Sequence, residues 1–282
     1  QKRAVDEYID MLLKNGLIRP STSSWACRLV VVRQGGKFRV CLDLRDVNER
    51  TVREACPIGS VIEVQEWLMQ PRRRIVASLD QPKGYNRIPM TPDSKHLTAF
   101  VTHRGLFEWN TCPFGLANLP GAFTQIVQAT LGPLAWTTAA PYMDDLFMGE
   151  PTVAELYNAL VLVMERFHAY NVQVALPKSH FFESEVKCLG SIVGHGTRTS
   201  DPDKVQRIRE WERPANLKEL VSFTATVGYY RALIRNYADK VRVLELFGKG
   251  MHKSTPIIEK ATGRDGELVW TKECEQAFQE LK

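Results

Sequence analysis

The sequence predicts an α+β fold with a strand-rich, mixed first two-thirds and a helical final third. Short apolar runs of strand type, separated by turn residues, occur along the first part, and this pattern favours hairpins. From Pro202 onward the apolar residues recur at helical spacing. Apolar residues make up 44% and charged residues 24% of the 282 residues, so the chain is able to bury the core of one large or two modest domains.

The first predicted elements are a helix and a hairpin. Apolar residues at helical spacing predict a helix over residues 4–13, which ends at Asn15-Gly16. Residues 29–32 and 37–42 have strand character, and Gln34-Gly35-Gly36 between them predicts a hairpin turn. Further helices in the first part of the chain are predicted at 61–69, 118–131 and 153–170.

Two of the predicted strand segments carry acidic residues. Residues 75–79 predict a buried strand that ends directly at Asp80, and residues 138–148 predict an apolar hairpin with Asp144-Asp145 at its turn. Residues 88–112 alternate strand signals with turns, and more short strands follow up to about Val193. The final third has helical patterns at 205–211, 217–230, 237–247 and 271–282.

The net charge of +5 is localised in the helical part of the chain. Residues 198–253 hold 12 Lys and Arg against 7 Asp and Glu, an excess equal to the whole net charge. Such a basic segment suits a phosphate-binding subdomain, and it equally suits a solvated helical surface. We therefore place a domain boundary near residues 197–201 and leave the role of the basic segment open at this point.

The cysteines and the hydropathy pattern indicate a cellular compartment. The six cysteines form no CxxC pair and have no histidine at zinc-like spacing, which indicates free thiols in a reducing compartment. The sequence has no apolar run long enough to span a membrane and no signal peptide. We expect an intracellular, cytoplasmic protein that does not bind membranes. Because the sequence begins at Gln1, we also expect it to be cut from a longer precursor.

Three carboxylates are the candidate catalytic residues: Asp80, Asp144 and Asp145. An Asp-Asp pair alone is most often an ordinary turn. These aspartates, however, are flanked by apolar residues of strand character, and buried carboxylates are normally paired with cations. A pair of aspartates at a hairpin turn, beside a third at the end of a neighbouring strand, is able to hold two divalent ions for phosphoryl transfer. Ligands that are all oxygen favour Mg²⁺ or Mn²⁺.

Motifs in a fixed order connect the chain to a known family. The sequence resembles the polymerase region of the reverse transcriptases of gypsy-type LTR retrotransposons, which are related to the retroviral enzymes. The signature Tyr142-Met143-Asp144-Asp145 and the segment Cys188-Leu189-Gly190, similar to the family's primer grip, carry the resemblance most directly. The other matching segments are residues 18–26, 38–48, 79–85, 112–118 and 270–282.

The resemblance implies a right-hand polymerase with fingers and an antiparallel-sheet palm at residues 1–197. A basic helical thumb would cover 198–253, and 254–282 would lead toward an RNase H domain that the sequence does not include. The implied substrates are an RNA or DNA template with a primer, together with dNTPs, and the implied cofactor is two Mg²⁺ or Mn²⁺ ions. The resemblance further implies that the element's RNA is copied into cDNA inside retroelement particles.

The resemblance also assigns roles to individual residues. Asp80, Asp144 and Asp145 match the metal-binding catalytic triad. Residues matching the dNTP site are Arg33, Arg39, Tyr85, Phe114 and Met143, and residues matching the primer site are Tyr142, Leu189 and Gly190. The alternative for Arg39 is an ordinary strand arginine that faces solvent. The alternative for Tyr85 and for Phe114 is an aromatic residue of the core.

The sequence departs from the family pattern at two places. The residues between Asp80 and Gly84, Gln81-Pro82-Lys83, are unusual for the family. Thr224-Ala225-Thr226 stands where the family usually has a more apolar segment. Neither departure removes a carboxylate. Three alternatives stay open beside the DNA polymerase: a catalytically silent scaffold that binds nucleic acid, a two-metal nuclease, and an RNA-synthesising enzyme. The sequence leaves the oligomeric state open.

Overall fold

A computed structural model describes residues 1–56, 59–82, 84–258 and 268–282. These residues form two units. The first consists of Gln1–Leu189 and Val193–Arg198, and the second consists of Gly190–Ile192 and Thr199–Lys282. No helix among the described residues is long and apolar enough to cross a membrane.

The elements of the described residues are mixed throughout the first unit and mainly helical in the second. The helices are α1 (Lys2–Lys14), α2 (Arg45–Arg50), α3 (Val61–Leu68), α4 (Leu119–Leu131), α5 (Val153–Ala169), α6 (Pro202–Arg209), α7 (Leu217–Gly228), α8 (Tyr237–Phe247) and α9 (Lys272–Leu281). The strands are β1 (Ile18–Pro20), β2 (Arg28–Gln34), β3 (Lys37–Asp43), β4 (Ile75–Asp80), β5 (Phe100–Thr102), β6 (Gly105–Trp109), β7 (Ala139–Tyr142), β8 (Asp145–Glu150), β9 (His180–Glu183), β10 (Glu185–Cys188), β11 (Ser191–Gly194), β12 (Thr197–Ser200), β13 (Ile257–Ile258) and β14 (Leu268–Val269).

A four-stranded antiparallel sheet in the order β7-β8-β4-β9 is the centre of the first unit. Its inward side chains pack with helices α4 and α5 into one core, to which Leu79, Leu146, Val127 and Val163 contribute fully buried side chains. Removing each such aliphatic side chain from water stabilises the fold by roughly 1.5–3 kcal/mol. The packing therefore fixes the ends of β4 and β8, where the acidic residues lie.

Two smaller sheets lie outside this central sheet in the first unit. Strands β2 and β3 form a two-stranded ribbon, and β1, β6 and β5 form a sheet that packs with α1 around Ile9, Phe100 and Trp109. Within that sheet the buried Glu108 accepts hydrogen bonds from Arg19 Nε at 2.7 Å and from Ser21 Oγ at 2.6 Å. These bonds connect β1 to β6 through side chains as well as backbone.

A buried arginine braces the central sheet at the end opposite the acidic residues. Arg73 is only 1% exposed, and its guanidinium lies 3.2 Å from the centre of the Trp67 ring. It donates hydrogen bonds to the carbonyls of Gly149 (2.7 Å) and Thr137 (3.2 Å). Burial lowers the pKa of Arg73 to about 10. Carbonyl dipoles and an aromatic face thus stabilise the cation, while Arg73 Nε is buried without a hydrogen-bond partner among the described residues.

The second unit is built from helices α6 to α9 around an aromatic core. Phe223 packs against Phe278, with ring centres 4.6 Å apart, and Trp270 packs against Phe247 at 5.4 Å. The side chains of Asp201, Asn216 and Thr271 each accept a backbone hydrogen bond at the start of a helix, as N-caps do. The unit therefore has a hydrophobic core of its own.

The predicted α+β class is confirmed, and most predicted elements are present with displaced ends. Helix α2 was not predicted, because its six residues are too short to show a helical period. The helix predicted at 205–211 is α6, which begins at Pro202, a favoured first residue of a helix. The predicted Asp144-Asp145 turn is wrong by one residue: Tyr142 pairs with Asp145, so the turn is Met143-Asp144. Met143 takes the positive φ of 50° that this turn requires.

Candidate active site

The backbone brings the three candidate aspartates together at one end of the central sheet. Asp80, the last residue of β4, lies directly opposite Asp145, the first residue of β8. The Gln81 N–H donates to the Asp144 carbonyl at 2.9 Å, which ties the hairpin turn to the end of β4. On the other side, the Ala175 N–H donates to the Asp80 carbonyl at 2.8 Å. Main-chain hydrogen bonds therefore hold all three residues in place.

The carboxylates form a concentrated negative site. Burial, followed by the charges of Asp80 and Asp144, raises the pKa of Asp145 to about 6. Burial and the Asp80 charge raise the pKa of Asp144 above its ordinary value. Asp144 Oδ1 is buried without a hydrogen-bond partner among the described residues. Lys178 is the neighbouring cation, with Nζ 3.5 Å from Asp80 Oδ1 and an exposed side chain.

These features fit a divalent cation. The donors are all carboxylate oxygens, which suits Mg²⁺ or Mn²⁺, and an unpartnered buried oxygen is available to coordinate. The side chains do not converge completely, since no three His, Cys, Asp or Glu of the described residues are arranged around a single metal position. Mutual repulsion of the carboxylates and the contact between Lys178 and Asp80 are consistent with that spread.

Tyr85 lies beside the aspartates and is packed by two phenylalanines. It is 9% exposed, and its ring centre is 5.1 Å from Phe114 and 5.2 Å from Phe123. Burial and the nearby Asp144 charge raise the pKa of Tyr85 to about 12. A Cβ on Gly84 would lie 2.3 Å from Phe123 Cζ, so only glycine allows this close packing. Phe114 is partly exposed, so the Tyr85–Phe114 pair borders solvent.

The structure separates the two candidate arginines. In the β2–β3 ribbon Arg39 is directly opposite Val32, and Arg33 is directly opposite Phe38. Opposed residues of an antiparallel pair share a face, and consecutive residues alternate faces. Arg33 and Arg39 therefore lie on opposite faces of the ribbon, and a ligand on one face meets only one of them directly.

Two of the candidate primer residues, Tyr142 and Leu189, belong to the first unit, and the third, Gly190, belongs to the second. Tyr142 and Leu189 are partly buried and pack against a cluster that includes Phe147 and Cys188. Leu189 takes a positive φ of 49°. In the second unit, Gly190 has a φ of 91°, and its carbonyl accepts a hydrogen bond from Tyr230 Oη at 3.3 Å. These consecutive left-handed residues make a sharp bend at the position of the predicted primer motif.

A cavity near the β2–β3 ribbon was not predicted as a functional feature. It has a volume of about 690 Å³ and is lined by Trp25, Arg28, Arg45 and Arg50, together with Asp43. Trp25 is 51% exposed, and the Arg50 guanidinium lies 5.8 Å from the centre of its ring. The sequence shows only a tryptophan in a polar turn. This signal becomes informative when the fold brings the arginines beside Trp25.

Lys178 was also not predicted, since it follows a proline in a stretch without a recognisable motif. Its position depends on the short turn after Leu176 and on the hydrogen bond of the Asp80 N–H to Ser179 Oγ at 3.2 Å.

Comparison with known proteins places this site in a family. A family model described as reverse transcriptase (RNA-dependent DNA polymerase) matches residues 31–193. The retrovirus-related Pol polyprotein from transposon 297 of Drosophila melanogaster is 30% identical over 284 residues, covering 99% of this chain and 25% of that protein. The corresponding polyprotein from transposon gypsy of the same organism is 27% identical over 285 residues, covering 99% and 27%. The chain thus spans about a quarter of the length of these relatives.

Solved structures give the same result for the fold. A foamy viral protease–reverse transcriptase in complex with an RNA/DNA hybrid is 25% identical, with a TM-score of 0.84 over 99% of this chain and 36% of that chain. A foamy viral protease–reverse transcriptase in complex with double-stranded DNA is 24% identical, with a TM-score of 0.86 over 99% of this chain and 47% of that one. The expected polymerase fold is confirmed. Since the family model spans more than half of the chain and includes Asp80, Asp144 and Asp145, the chain belongs to the reverse transcriptase (RNA-dependent DNA polymerase) family.

Proposed function

We propose that this chain is a DNA polymerase that copies RNA and DNA templates by transferring nucleotides from dNTPs to the 3′-hydroxyl of a primer. The observation that carries the proposal is the juxtaposition of Asp80 and Asp145 across β4 and β8, with Asp144 in the adjoining turn. Its place within the stretch that matches the family supports the same reading.

In this proposal Asp80, Asp144 and Asp145 hold two Mg²⁺ or Mn²⁺ ions. When bound, the ions activate the primer hydroxyl and neutralise the charge that develops on the phosphates. The aspartates supply the negative charge that attracts the ions, and burial keeps that charge poorly screened. Lys178, beside Asp80, balances part of this negative charge.

The incoming dNTP is held by residues from two directions in this mechanism. Tyr85, braced by Phe114 and Phe123, lies under the deoxyribose and leaves no space for a 2′-hydroxyl. Arg39 binds the triphosphate through its planar guanidinium, which pairs with phosphate oxygens two at a time. Met143, in the turn before Asp144, contacts the nucleotide beside the catalytic residues. Arg33 lies on the other face of the ribbon and has a smaller role.

Template and primer contact other parts of the chain. Tyr142, Leu189 and Gly190 position the primer end, as their match to the family's primer site implies. The exposed Trp25 and its neighbouring arginines offer a stacking surface and positive charge for a template strand. The basic excess of residues 198–253 binds duplex phosphates. These assignments correspond to fingers and palm at residues 1–197, a thumb at residues 198–253 and a connecting segment at residues 254–282.

We place this activity in the cytoplasm, within retroelement particles. All six cysteines are free, which suits a reducing compartment. The catalytically silent scaffold is not favoured, because all three carboxylates are present.

Primer extension on an RNA template tests the proposal. With Mg²⁺ and dNTPs the chain extends a DNA primer on RNA and on DNA, and with rNTPs it extends the primer poorly. Extension with rNTPs alone would indicate an RNA-synthesising enzyme. Shortening of the nucleic acid that depends on Asp144 would indicate a nuclease, and binding without either reaction would indicate the silent scaffold.

A further inference from the structure

The residue after the first catalytic aspartate carries a buried amide without a partner. Gln81 is 3% exposed, and neither Oε1 nor Nε2 of its side chain has a hydrogen-bond partner among the described residues. Its backbone N–H donates to the Asp144 carbonyl at 2.9 Å, which holds the main chain at this position. A buried amide with both ends unpaired destabilises a fold, and such groups are normally paired with protein, water or a ligand.

Gln81 lines a cavity of about 270 Å³ on the side of β4 next to α4. Most of its wall is hydrocarbon, contributed by Ile88, Pro89, Phe123, Ile126 and Val127. Arg87 and Gln173 also border the cavity. The Arg87 guanidinium donates a hydrogen bond to Gln173 Oε1, so these two side chains are paired with each other. The Gln81 amide is therefore a polar group in this cavity that still lacks a partner.

We propose that this cavity is a binding site for a small, uncharged, planar molecule with a lactam or carboxamide edge. The N–H of such an edge donates to Gln81 Oε1, while its carbonyl accepts from Gln81 Nε2, so one ligand satisfies both ends of the amide. The apolar walls bury the ring of the ligand. The volume admits one or two fused rings.

The site is separate from the proposed nucleotide site but shares a wall with it. Phe123 lines the cavity and also packs edge-on against Tyr85, with ring centres 5.2 Å apart. Gly84, another residue of the cavity lining, is in close contact with Phe123. A ligand in the cavity would therefore contact the same Phe123 ring that packs against Tyr85. The inference concerns binding alone, and it holds whether or not the chain polymerises DNA.

The bicyclic lactam 2-quinolinone is a suitable probe, and 1-methyl-2-quinolinone is its matched control. The two have the same rings and carbonyl, but the methyl group removes the N–H that Gln81 Oε1 would accept. Binding to the 282-residue chain is measured by titration calorimetry and by chemical-shift changes of labelled Phe side chains. We expect saturable binding of 2-quinolinone, with the methylated probe weaker by about tenfold or more, the effect of losing a buried hydrogen bond.

Two variants complete the test. Gln81→Met keeps the size of the side chain and removes the amide, so it should weaken 2-quinolinone binding by about tenfold while raising the melting temperature of the free protein. Ile126→Trp, at a partly exposed position of the lining, should fill the cavity and abolish binding without touching the amide. The proposal is overturned if wild type shows no saturable binding of 2-quinolinone. It is equally overturned if the methylated probe binds as well, or if Gln81→Met or Ile126→Trp binds as wild type does.

Discussion

At the scale of single residues, the fold brings three negative charges together at one end of the central sheet. Asp144 and Asp145 are half-buried beside Asp80, and burial together with the neighbouring negative charges raises the pKa of both carboxyl groups. A cation bound by these carboxylates, as we propose, would relieve the repulsion.

Replacing one aspartate should therefore remove activity while leaving the fold intact. We expect Asp80→Asn, Asp144→Asn or Asp145→Asn to reduce Mg²⁺-dependent primer extension by at least about 10³-fold, since each removes a charged ligand from a site that neutralises phosphate charge. Binding of primer-template, measured by fluorescence anisotropy, should change little. Asp93→Asn is the matched control, because Asp93 is exposed and remote from the triad in sequence. Near-normal extension by Asp80→Asn or Asp144→Asn would refute the assignment.

Tyr85 should select the sugar of the nucleotide. Its ring is held on two sides by Phe114 and Phe123, so a 2′-hydroxyl would meet a rigid wall. Such overpacking costs about 1–3 kcal/mol, which corresponds to roughly 10–100-fold in kcat/KM. Tyr85→Val should raise the use of rNTPs relative to dNTPs by that factor, while Tyr85→Phe should keep the discrimination. An unchanged ratio in Tyr85→Val, from steady-state kinetics with each nucleotide, would make Tyr85 only a core residue.

At the scale of elements, side chains connect strands that the backbone alone holds weakly. The three-residue strand β1 is fastened to β6 by Glu108, which is bonded to Arg19 and Ser21. Burial of Glu108 acts to raise its pKa, but the hydrogen bonds of Ser21 and Arg19 and the positive charges nearby outweigh burial, so its pKa lies below the ordinary 4.5.

This arrangement gives a pH-dependent contribution to stability. Because the pKa of Glu108 is lower in the folded than in the unfolded chain, the contribution is complete above the unfolded value of about 4.3 and is lost as the pH falls through the lower folded value. We expect the melting temperature of Glu108→Gln to be below that of wild type at pH 7, by several degrees, because Gln keeps the shape and loses the ion pair. The difference should shrink below pH 4. A constant difference from pH 7 to pH 3, measured by circular dichroism, would contradict this account.

The elements also show which features of the candidate site could be predicted from the sequence. The carboxylate-bearing strand and hairpin were predictable, because apolar runs ending at Asp80 and enclosing Asp144-Asp145 have a clear period and a clear turn. The turn was misplaced by one residue, since a positive φ at Met143 has no signal in a non-glycine side chain. The positions of Lys178 and of the Trp25 cavity depend on contacts between distant segments, which a local pattern does not contain.

At the scale of the whole molecule, the charge is divided between the two units. The excess of basic residues lies within 198–253, nearly all of which belongs to the second unit, while the rest of the chain is balanced. The second unit has a hydrophobic core rich in aromatic residues, and Lys204, Lys218, Lys249 and Lys253 on its surface are exposed. A polyanion such as a nucleic-acid duplex is the ligand whose binding this distribution favours.

The affinity for primer-template duplex should therefore depend steeply on salt, and mainly through the second unit. Each phosphate contact that releases a counterion contributes a slope of about −0.9 to the plot of log K against log salt concentration for DNA. We expect Lys218→Gln/Lys249→Gln, two exposed changes in the second unit, to make the slope shallower by about 0.9 for each lysine that contacts a phosphate. Lys2→Gln/Lys14→Gln, two exposed changes in α1, is the control with the same loss of charge. Anisotropy titrations between about 50 and 200 mM salt measure the slopes. If both double variants make the slope shallower by the same amount, net charge alone attracts the duplex, and the second unit contributes no more to binding than α1 does. If neither changes it, the basic excess is a solvated surface and the duplex is held elsewhere.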